Sequence, residues 1–401
     1  MDLDSECKPR LRSVEAFGID DGEGDTVGVR DPSGLCEVVL TVSTAALHIL
    51  ALMDGSRTCS EIRRDFHARF GHVLSQRTLQ SMIDNLDRAH FLEGAGFDAH
   101  YESLLDAYRE RPARTMPHAD ALGIDETGEV FERMLAAESP VVDGSVCGVI
   151  APHLDYPRGS VAYAAAYSTL RDRPSPGRVI VLGTNHFGRS ASVVATAQDF
   201  ETPLGTTRVD LDFLQRLERR CGSLRAYELD HAREHSVELQ VAWLQHLFGS
   251  GGFSILPLLC PDPCGPTGTR PRDGTGVDLC EFAEALGEMI AADSMDTLLV
   301  AGADLSHVGR AFGDDRDLDD AFLEHVRGRD RAALEALEAE GANSFLRALT
   351  EHDNDTRVCS AGCIFAIAHA LRGATATVLR YHQAVDRATH ACVTCAAVTF
   401  T

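Results

Sequence analysis

The segment Val146-Cys-Gly-Val-Ile-Ala-Pro-His-Leu-Asp-Tyr156 joins a short apolar run to a polar loop that opens with proline and histidine. The same arrangement recurs at residues 178–186 and 297–309. Continuous apolar runs of this length are typical of strands that are buried on both faces of a sheet. Strands and helices alternate from there onward, so the sequence predicts an α/β fold with a mainly parallel sheet flanked by helices.

Each of the three runs carries a histidine shortly after the predicted strand, namely His153, His186 and His307. Ligands of parallel sheets bind beyond the carboxyl ends of the strands, so these side chains are expected to converge on one pocket. A lone histidine is more often structural than functional. Three histidines at equivalent strand ends instead favour a functional site.

The composition of the 401-residue chain is that of a globular protein, with 44% hydrophobic and 24% charged residues. Lysine and arginine total 37 against 61 aspartate and glutamate residues, and the net charge of -24 argues against nucleic acid as a partner. No run of about 18 apolar residues is present, so no membrane span is expected. The first ten residues are acidic and polar, which predicts no secretory signal and a cytoplasmic location.

Two domains are predicted, a small one at residues 1–95 and a larger one at 116–401, joined by a linker at 96–115. In the small domain, short strands are expected at 14–19, 26–30 and 37–42. Three helices should follow, and the second begins with Thr58 and Glu61 in the spacing of a capping box. This order of elements predicts a winged-helix-like α+β unit.

The small domain resembles the PqqD-like family through the turn Gly55-Ser-Arg-Thr-Cys-Ser-Glu-Ile62 and the closing segment Leu86-Asp-Arg-Ala-His-Phe-Leu92. That resemblance implies that the domain presents a peptide or protein to a modifying enzyme, which would make a radical-SAM enzyme a candidate partner. Two alternatives stay open. The unit can serve dimerisation or packing on the larger domain, or it can bind DNA through its helical arginines, although acidic residues are interleaved with them.

Five segments of the larger domain contain residue types that bind metals or catalyse reactions. They are residues 151–156, 183–186, 234–238, 304–307 and 359–363. Neutral imidazole, carboxylate and thiolate ligands together suit a transition metal such as iron, copper or zinc.

In this order, these segments resemble the Memo family, whose prokaryotic members are called AmmeMemoRadiSam system protein B. Phe200-Glu-Thr-Pro-Leu204 and Ile255-Leu-Pro-Leu258 add to the resemblance, which spans residues 112–401. The family is similar in fold to the class III extradiol dioxygenases, which open catechol rings with O₂ at a non-haem Fe(II). The resemblance therefore implies a metal-dependent, dioxygenase-like oxidoreductase.

Carried over residue by residue, the resemblance implies that His153, His186 and Cys359 are metal ligands. It also implies that Asp304 and His307 are catalytic, with His307 as the general acid/base. One Fe(II) ion is expected, with copper or zinc as alternatives, because a thiolate replaces the carboxylate of the dioxygenases. The residues expected around the ligands or in the substrate pocket are Asp155, Tyr156, Asn185, Glu234, His235 and Glu238.

Two interpretations of the 234–238 segment stay open: its carboxylates orient a ligand imidazole, or they form a buried ion pair with Arg233. Asp155, Phe187 and Cys363 stand where other residues are usual in the family, so the pocket and the substrate are not inherited from it. Two functions are therefore carried forward. The first is a metal-dependent oxidoreductase that acts with a peptide or protein partner, and the second is a non-catalytic peptide-binding adaptor or metal-binding protein on the same fold.

Overall fold

The structure is a computed structural model that describes residues 7–19, 26–116, 127–138 and 144–401. The chain divides into two compact units, Met1–Glu110 and Arg111–Thr401. Residues 96–115, predicted as a linker, contain most of a helix that belongs to the first unit and a short strand that belongs to the second.

In its described residues, the first unit consists of a three-stranded antiparallel sheet followed by four helices. In sheet order, its strands are β1 (Glu15–Gly18), β2 (Thr26–Arg30) and β3 (Leu40–Ser43). Its helices are α1 (Thr44–Leu52), α2 (Cys59–Phe70), α3 (Gln76–Arg88) and α4 (Ala95–Arg109). The capping box predicted for α2 is confirmed, because the Thr58 hydroxyl accepts from the Glu61 backbone N–H and the Glu61 carboxylate accepts from that of Thr58.

A buried arginine holds α4 in the first unit. The guanidinium of Arg12 pairs with Asp31 at 3.1 Å and donates to the backbone carbonyl of His90 at 3.0 Å. The same group lies 3.6 Å from the centre of the Phe97 ring, near the start of α4, in a cation–π contact. The packing of α4 is thus coupled to a buried charge in the strand region, which explains why the unit extends beyond residue 95.

The second unit contains, among its described residues, a mixed sheet of eight strands. Its strands are β5 (Gly148–Ala151), β6 (Arg178–Thr184), β7 (Val194–Ala195), β10 (Ser254–Cys260), β11 (Thr297–Gly302), β12 (Asp304–Val308), β13 (Ala376–Asp386) and β14 (Ala391–Phe400). A smaller sheet consists of β4 (Arg114–Thr115), β8 (Phe200–Thr202) and β9 (Gly205–Thr207).

Helices pack around these sheets. They are α5 (Thr127–Ala136), α6 (Tyr156–Ser168), α7 (Leu211–Cys221), α8 (Glu238–Phe248), α9 (Leu279–Ala291), α10 (Asp320–Glu340), α11 (Ala342–Thr350) and α12 (Ala361–Ala370). No helix in the described part of the chain combines the length and the apolar character needed to cross a bilayer.

The prediction of a mainly parallel sheet is correct only for the four central strands. The order is β12-β14-β5-β11-β6-β10-β7, and parallel pairing joins β5, β11, β6 and β10. The strands outside them pair in antiparallel fashion, and β13 forms a long hairpin with β14. Every residue of β14 is buried, so its apolar run looks the same in sequence as that of a parallel strand.

The residues after β11 form a strand where the sequence predicted a loop. After a one-residue break at Ala303, β12 pairs with β14 and carries both Asp304 and His307. A short polar strand beside a functional loop is hard to distinguish from the loop in sequence, because the spacing of apolar residues and the composition are alike in both.

A buried carboxylate ties α10 to three strands. Asp330 accepts hydrogen bonds from the hydroxyls of Ser306 on β12 (2.6 Å), Tyr381 on β13 (2.8 Å) and Thr394 on β14 (2.6 Å). Burial raises the pKa of Asp330, and the three hydroxyls oppose that rise. Since Ser306 lies between Asp304 and His307, this network fixes the strand that carries both residues.

We expect the substitution Asp330→Ala to lower the free energy of unfolding by about 2–4 kcal/mol, because three buried hydroxyls lose their acceptor. The matched control is Glu335→Ala on the same helix, where the side chain is exposed and the change should stay within about 0.5 kcal/mol. Urea unfolding of the purified variants measures both effects. Equal unfolding midpoints for the two variants would contradict the structural role of Asp330.

Candidate metal centre

The central strands bring the predicted residues to one edge of the sheet. His153 lies two residues after β5 and His186 two residues after β6, and both strands flank β11 in parallel. Cys359 immediately precedes Ser360, the N-cap residue of α12. The backbone N–H of Cys359 faces the carbonyl of Leu305 at 3.4 Å, which places the thiol beside β12.

His153 presents its Nε2 atom to the site. Its Nδ1 lies 2.9 Å from the backbone carbonyl of Gly302 and must donate there, because a carbonyl oxygen only accepts. In the neutral ring the Nε2 atom then carries the lone pair, and it lies 3.6 Å from Cys359 Sγ and 3.6 Å from Asp304 Oδ2. Asp304 also accepts from the backbone N–H of His153 at 3.0 Å.

His186 is oriented in the same sense by a carboxylate. Its Nδ1 lies 3.1 and 3.0 Å from the two oxygens of Glu234, and its backbone N–H donates to Glu234 at 3.2 Å. Glu234 is itself held by the backbone N–H of Ser236 at 2.9 Å. Carboxylate–imidazole pairs of this kind fix the tautomer of metal-binding histidines and raise their basicity.

Cys359 lies in an electropositive environment. Burial alone would raise the pKa of its thiol, but the charges of His153 and His307 and the hydrogen bonds from His153 and His186 hold that pKa well below its usual range. In turn, burial would lower the pKa of His153, and the carboxylate of Asp304 and the sulfur of Cys359 instead raise it to about 9. The imidazoles around Cys359 thus favour its thiolate form.

Asp304 and His307 border this cluster. Burial raises the pKa of Asp304, and the charge of His153 opposes that rise. His307 donates from Nδ1 to the backbone carbonyl of Leu305 at 3.1 Å, which leaves Nε2 as its proton-accepting atom. Burial would lower the pKa of His307, but the neighbouring Cys359 sulfur raises it.

His235 joins the two imidazoles at the strand ends. The nitrogen atoms that His153, His186 and His235 offer lie within 4.8 Å of one another. The ring centroid of His235 is 5.3 Å from that of His153 and 5.2 Å from that of His186, and the centroids of His153 and His186 are 4.9 Å apart. Imidazole nitrogens with fixed tautomers beside a thiol of low pKa are the donor set of a transition-metal site, so the residues present fit such an ion.

Four of the predicted site residues have other tasks in the structure. The ring of Tyr156 packs against Phe131 in the aromatic core, and its hydroxyl donates to the Leu239 carbonyl, so the pocket role of Tyr156 stays a prediction. Asp155 caps α6 and pairs with Arg158.

Asn185 and Glu238 support loops. The Asn185 amide donates to the carboxylate of Asp230 at 3.0 Å, and Asp230 also accepts backbone N–H groups of the loop that follows His186. Glu238 pairs with the buried Arg114 at 2.6 Å. The structure shows Glu234 paired with His186 and Glu238 paired with Arg114.

Two residues that contribute to the centre were missed by the sequence analysis. The guanidinium of Arg114 donates to the backbone carbonyls of His231 and Glu234 and thereby anchors the loop that carries Glu234. The Ser360 hydroxyl lies 3.3 Å from Cys359 Sγ and accepts from the backbone N–H of Asp304 at 3.1 Å. Ser360 follows Cys359 directly, which was an available signal, whereas no local pattern marks Arg114.

Comparison with known proteins supports the resemblance seen in the sequence. Residues 125–399 match the family described as Memo-like protein. The chain is 26% identical over 344 residues to a MEMO1 family protein of Aquifex aeolicus, an alignment that covers 84% of each chain. It is 28% identical over 348 residues to a MEMO1 family protein of Thermus thermophilus, covering 84% of this chain and 97% of the other.

Among solved structures, an uncharacterized protein from Escherichia coli K12 has a TM-score of 0.37 and 16% identity, covering 64% of this chain and 100% of that one, which is too low to bear on the fold. The family match, in contrast, spans well over half of the sequence and contains every residue of the centre described above except Arg114. On that basis, the chain belongs to the Memo-like protein family.

Proposed function

We propose that His153, His186 and Cys359 hold one transition-metal ion and that the larger unit is a metal-dependent, dioxygenase-like oxidoreductase. The observation that carries this proposal is the convergence of two Nε2 atoms, each with its Nδ1 already engaged, on a thiol whose pKa is lowered. Such an arrangement is costly for a structural core, since charged groups are desolvated, and it is typical of functional sites.

Fe(II) is the proposed ion, with copper and zinc as alternatives. Imidazole ligands suit all three metals, while a thiolate adds a soft, electron-donating ligand that favours copper and zinc more than a carboxylate does. When bound, a redox-active ion would supply the site with electron transfer to O₂ or to a substrate.

His307 is the proposed general acid/base. Its Nδ1 is engaged by the Leu305 carbonyl, so proton transfer would occur at Nε2. A positioned group of this kind typically contributes ~10²-fold to ~10⁴-fold to the rate. One carboxylate oxygen of Asp304 accepts from the backbone N–H of His153 and so holds His153 in place. The other oxygen adds negative charge beside Nε2 of His153.

The partner proposed for the first unit is a peptide or protein that it presents to a modifying enzyme, in the manner of the PqqD-like winged-helix domains it resembles. A radical-SAM enzyme is the proposed class of that enzyme. The edge position of β3 supports this proposal, because an extended peptide can add a strand there. Val38 and Val39, just before β3, are 48% and 52% exposed and supply an apolar surface at that edge.

A second candidate function is a non-catalytic peptide-binding adaptor or metal-binding protein. The observation in its favour is that the apolar edge beside β3 is a binding feature that needs no chemistry at the centre.

The first prediction concerns metal retention. Reconstituted anaerobically with Fe(II), the whole chain should retain one ion, and the double variant His153→Ala, Cys359→Ser should retain none, since two ligands are removed. The matched control is Cys363→Ser, one turn into α12, where burial raises the pKa of the thiol well above its usual range. Elemental analysis after desalting measures the retained metal. Full retention by the double variant would remove the basis for the site.

The second prediction concerns Glu234, which orients His186. Glu234→Gln should weaken metal affinity by about 10–100-fold, because the amide no longer fixes the Nδ1–H tautomer as a carboxylate does. Glu132→Gln, a substitution on the exposed face of α5, is the control. Competition with a chelator of known affinity measures the metal affinity of each variant relative to the wild-type chain. An unchanged affinity of Glu234→Gln would show that the carboxylate does not act through His186.

The third prediction separates the enzyme from the adaptor. The iron-loaded chain should consume O₂ with at least one member of a panel of catechols and peptides, and His307→Asn should slow that consumption by ~10²-fold or more while it retains the metal. An oxygen electrode and metal analysis on the same samples provide both readouts. No consumption with any member of the panel would favour the adaptor.

The fourth prediction concerns the first unit. A fragment of residues 1–110 should unfold cooperatively, whereas residues 1–94 should not, because Arg12 then keeps its buried charge but loses Phe97 and α4. The longer fragment should bind basic or mixed peptides, and Val39→Asp should weaken that binding. Circular dichroism and peptide titration test this. Salt-dependent binding of duplex DNA in preference to peptides would contradict it.

A further inference from the structure

The imidazole of His235 has the geometry of a ligand. Two imidazoles that bind one ion through nitrogens at about 2.1 Å, at a tetrahedral angle, have ring centroids about 5 Å apart. The three centroid separations among His153, His186 and His235 are 4.9, 5.2 and 5.3 Å, close to that value for every pair. Three rings with these separations can therefore all bind one ion.

The orientation of the His235 ring supports the same role. Its Nδ1 lies 3.6 Å from Glu234 Oε1, so Nδ1 of both His186 and His235 is directed to one carboxylate. The two rings are within 8° of parallel, and Nδ1 of each is the nitrogen nearest Glu234. His153 also presents Nε2, because its Nδ1 donates to Gly302. The nitrogens of the three rings lie within 4.8 Å of one another, and an ion would draw them together by roughly 1 Å.

We infer that His235 is a third imidazole ligand, so that the ion is held by His153, His186, His235 and Cys359. This inference rests on the proposed function and adds one ligand to it. The three-imidazole, one-thiolate set has the four protein ligands of a closed tetrahedral site for zinc or Cu(I), and it leaves free positions only on a metal that accepts five or six ligands, such as Fe(II).

Exposure distinguishes the three imidazoles. The side chain of His153 is 2% exposed, that of His186 is 17% exposed and that of His235 is 35% exposed. His235 is thus the ligand on the solvent side, and it is the one that an incoming molecule meets first.

The test uses Co(II), whose absorption spectrum reports both coordination number and thiolate ligation. The wild-type chain should bind one Co(II) with a thiolate-to-cobalt band, and X-ray absorption should count three imidazoles and one sulfur. His235→Ala should lower Co(II) affinity by at least ~100-fold, the upper end of what loss of an outer partner gives, and should lower the imidazole count to two. Added imidazole should restore the wild-type spectrum in this variant, a rescue that a merely structural role would not show.

The controls are His325→Ala on α10, where the side chain is 48% exposed, and His235→Gln in case the alanine variant loses its fold. A wild-type count of two imidazoles and one sulfur, or an unchanged spectrum and affinity in either His235 variant, would overturn the inference and leave the proposed metal site in place. Absence of cobalt binding by the folded wild-type chain would overturn both.

Discussion

The parallel pairing of β5 and β6 with the strand between them, β11, is the constraint on which the centre depends. Parallel neighbours end at the same edge of a sheet, so the chain leaves β5 and β6 with His153 and His186 side by side. The pairing extends beyond the strands, since the backbone N–H of Ala303 donates to the carbonyl of Ala151 at 2.7 Å. That bond also sets the start of β12, and so the position of Asp304 beside His153.

Around this frame, the groups that touch the rings decide what the cluster can do. The Gly302 carbonyl and the Glu234 carboxylate each occupy one nitrogen of a ring and so determine which nitrogen faces the site. The same contacts explain the charges. A thiol buried without cations would stay protonated, whereas Cys359 is surrounded by imidazoles that stabilise its anionic form. Fold and chemistry are therefore linked through backbone carbonyls as much as through side chains.

Much of this arrangement could be predicted from the sequence, because its determinants are local. The apolar runs before His153 and His186 predicted the buried strands, and the spacing of Thr58 and Glu61 predicted the start of α2. What could not be predicted depends on contacts far apart in the chain. The antiparallel direction of β14 is set by its hairpin with β13, and Tyr156 enters the core because α6 turns it towards Phe131, neither of which leaves a mark in local composition.

Arg114 illustrates how far such a contact can reach. It lies three residues after the boundary between the two units, yet it pairs with the fully buried Glu238 and holds the loop that carries Glu234. A chain shortened to residues 116–401, the boundary that the sequence suggests, would lack this cation and leave the Glu238 carboxylate in the interior without it. Losing one partner of a buried ion pair costs about 3–5 kcal/mol. Excision of the larger unit therefore has to retain Arg114, or the loop behind His186 loses its anchor.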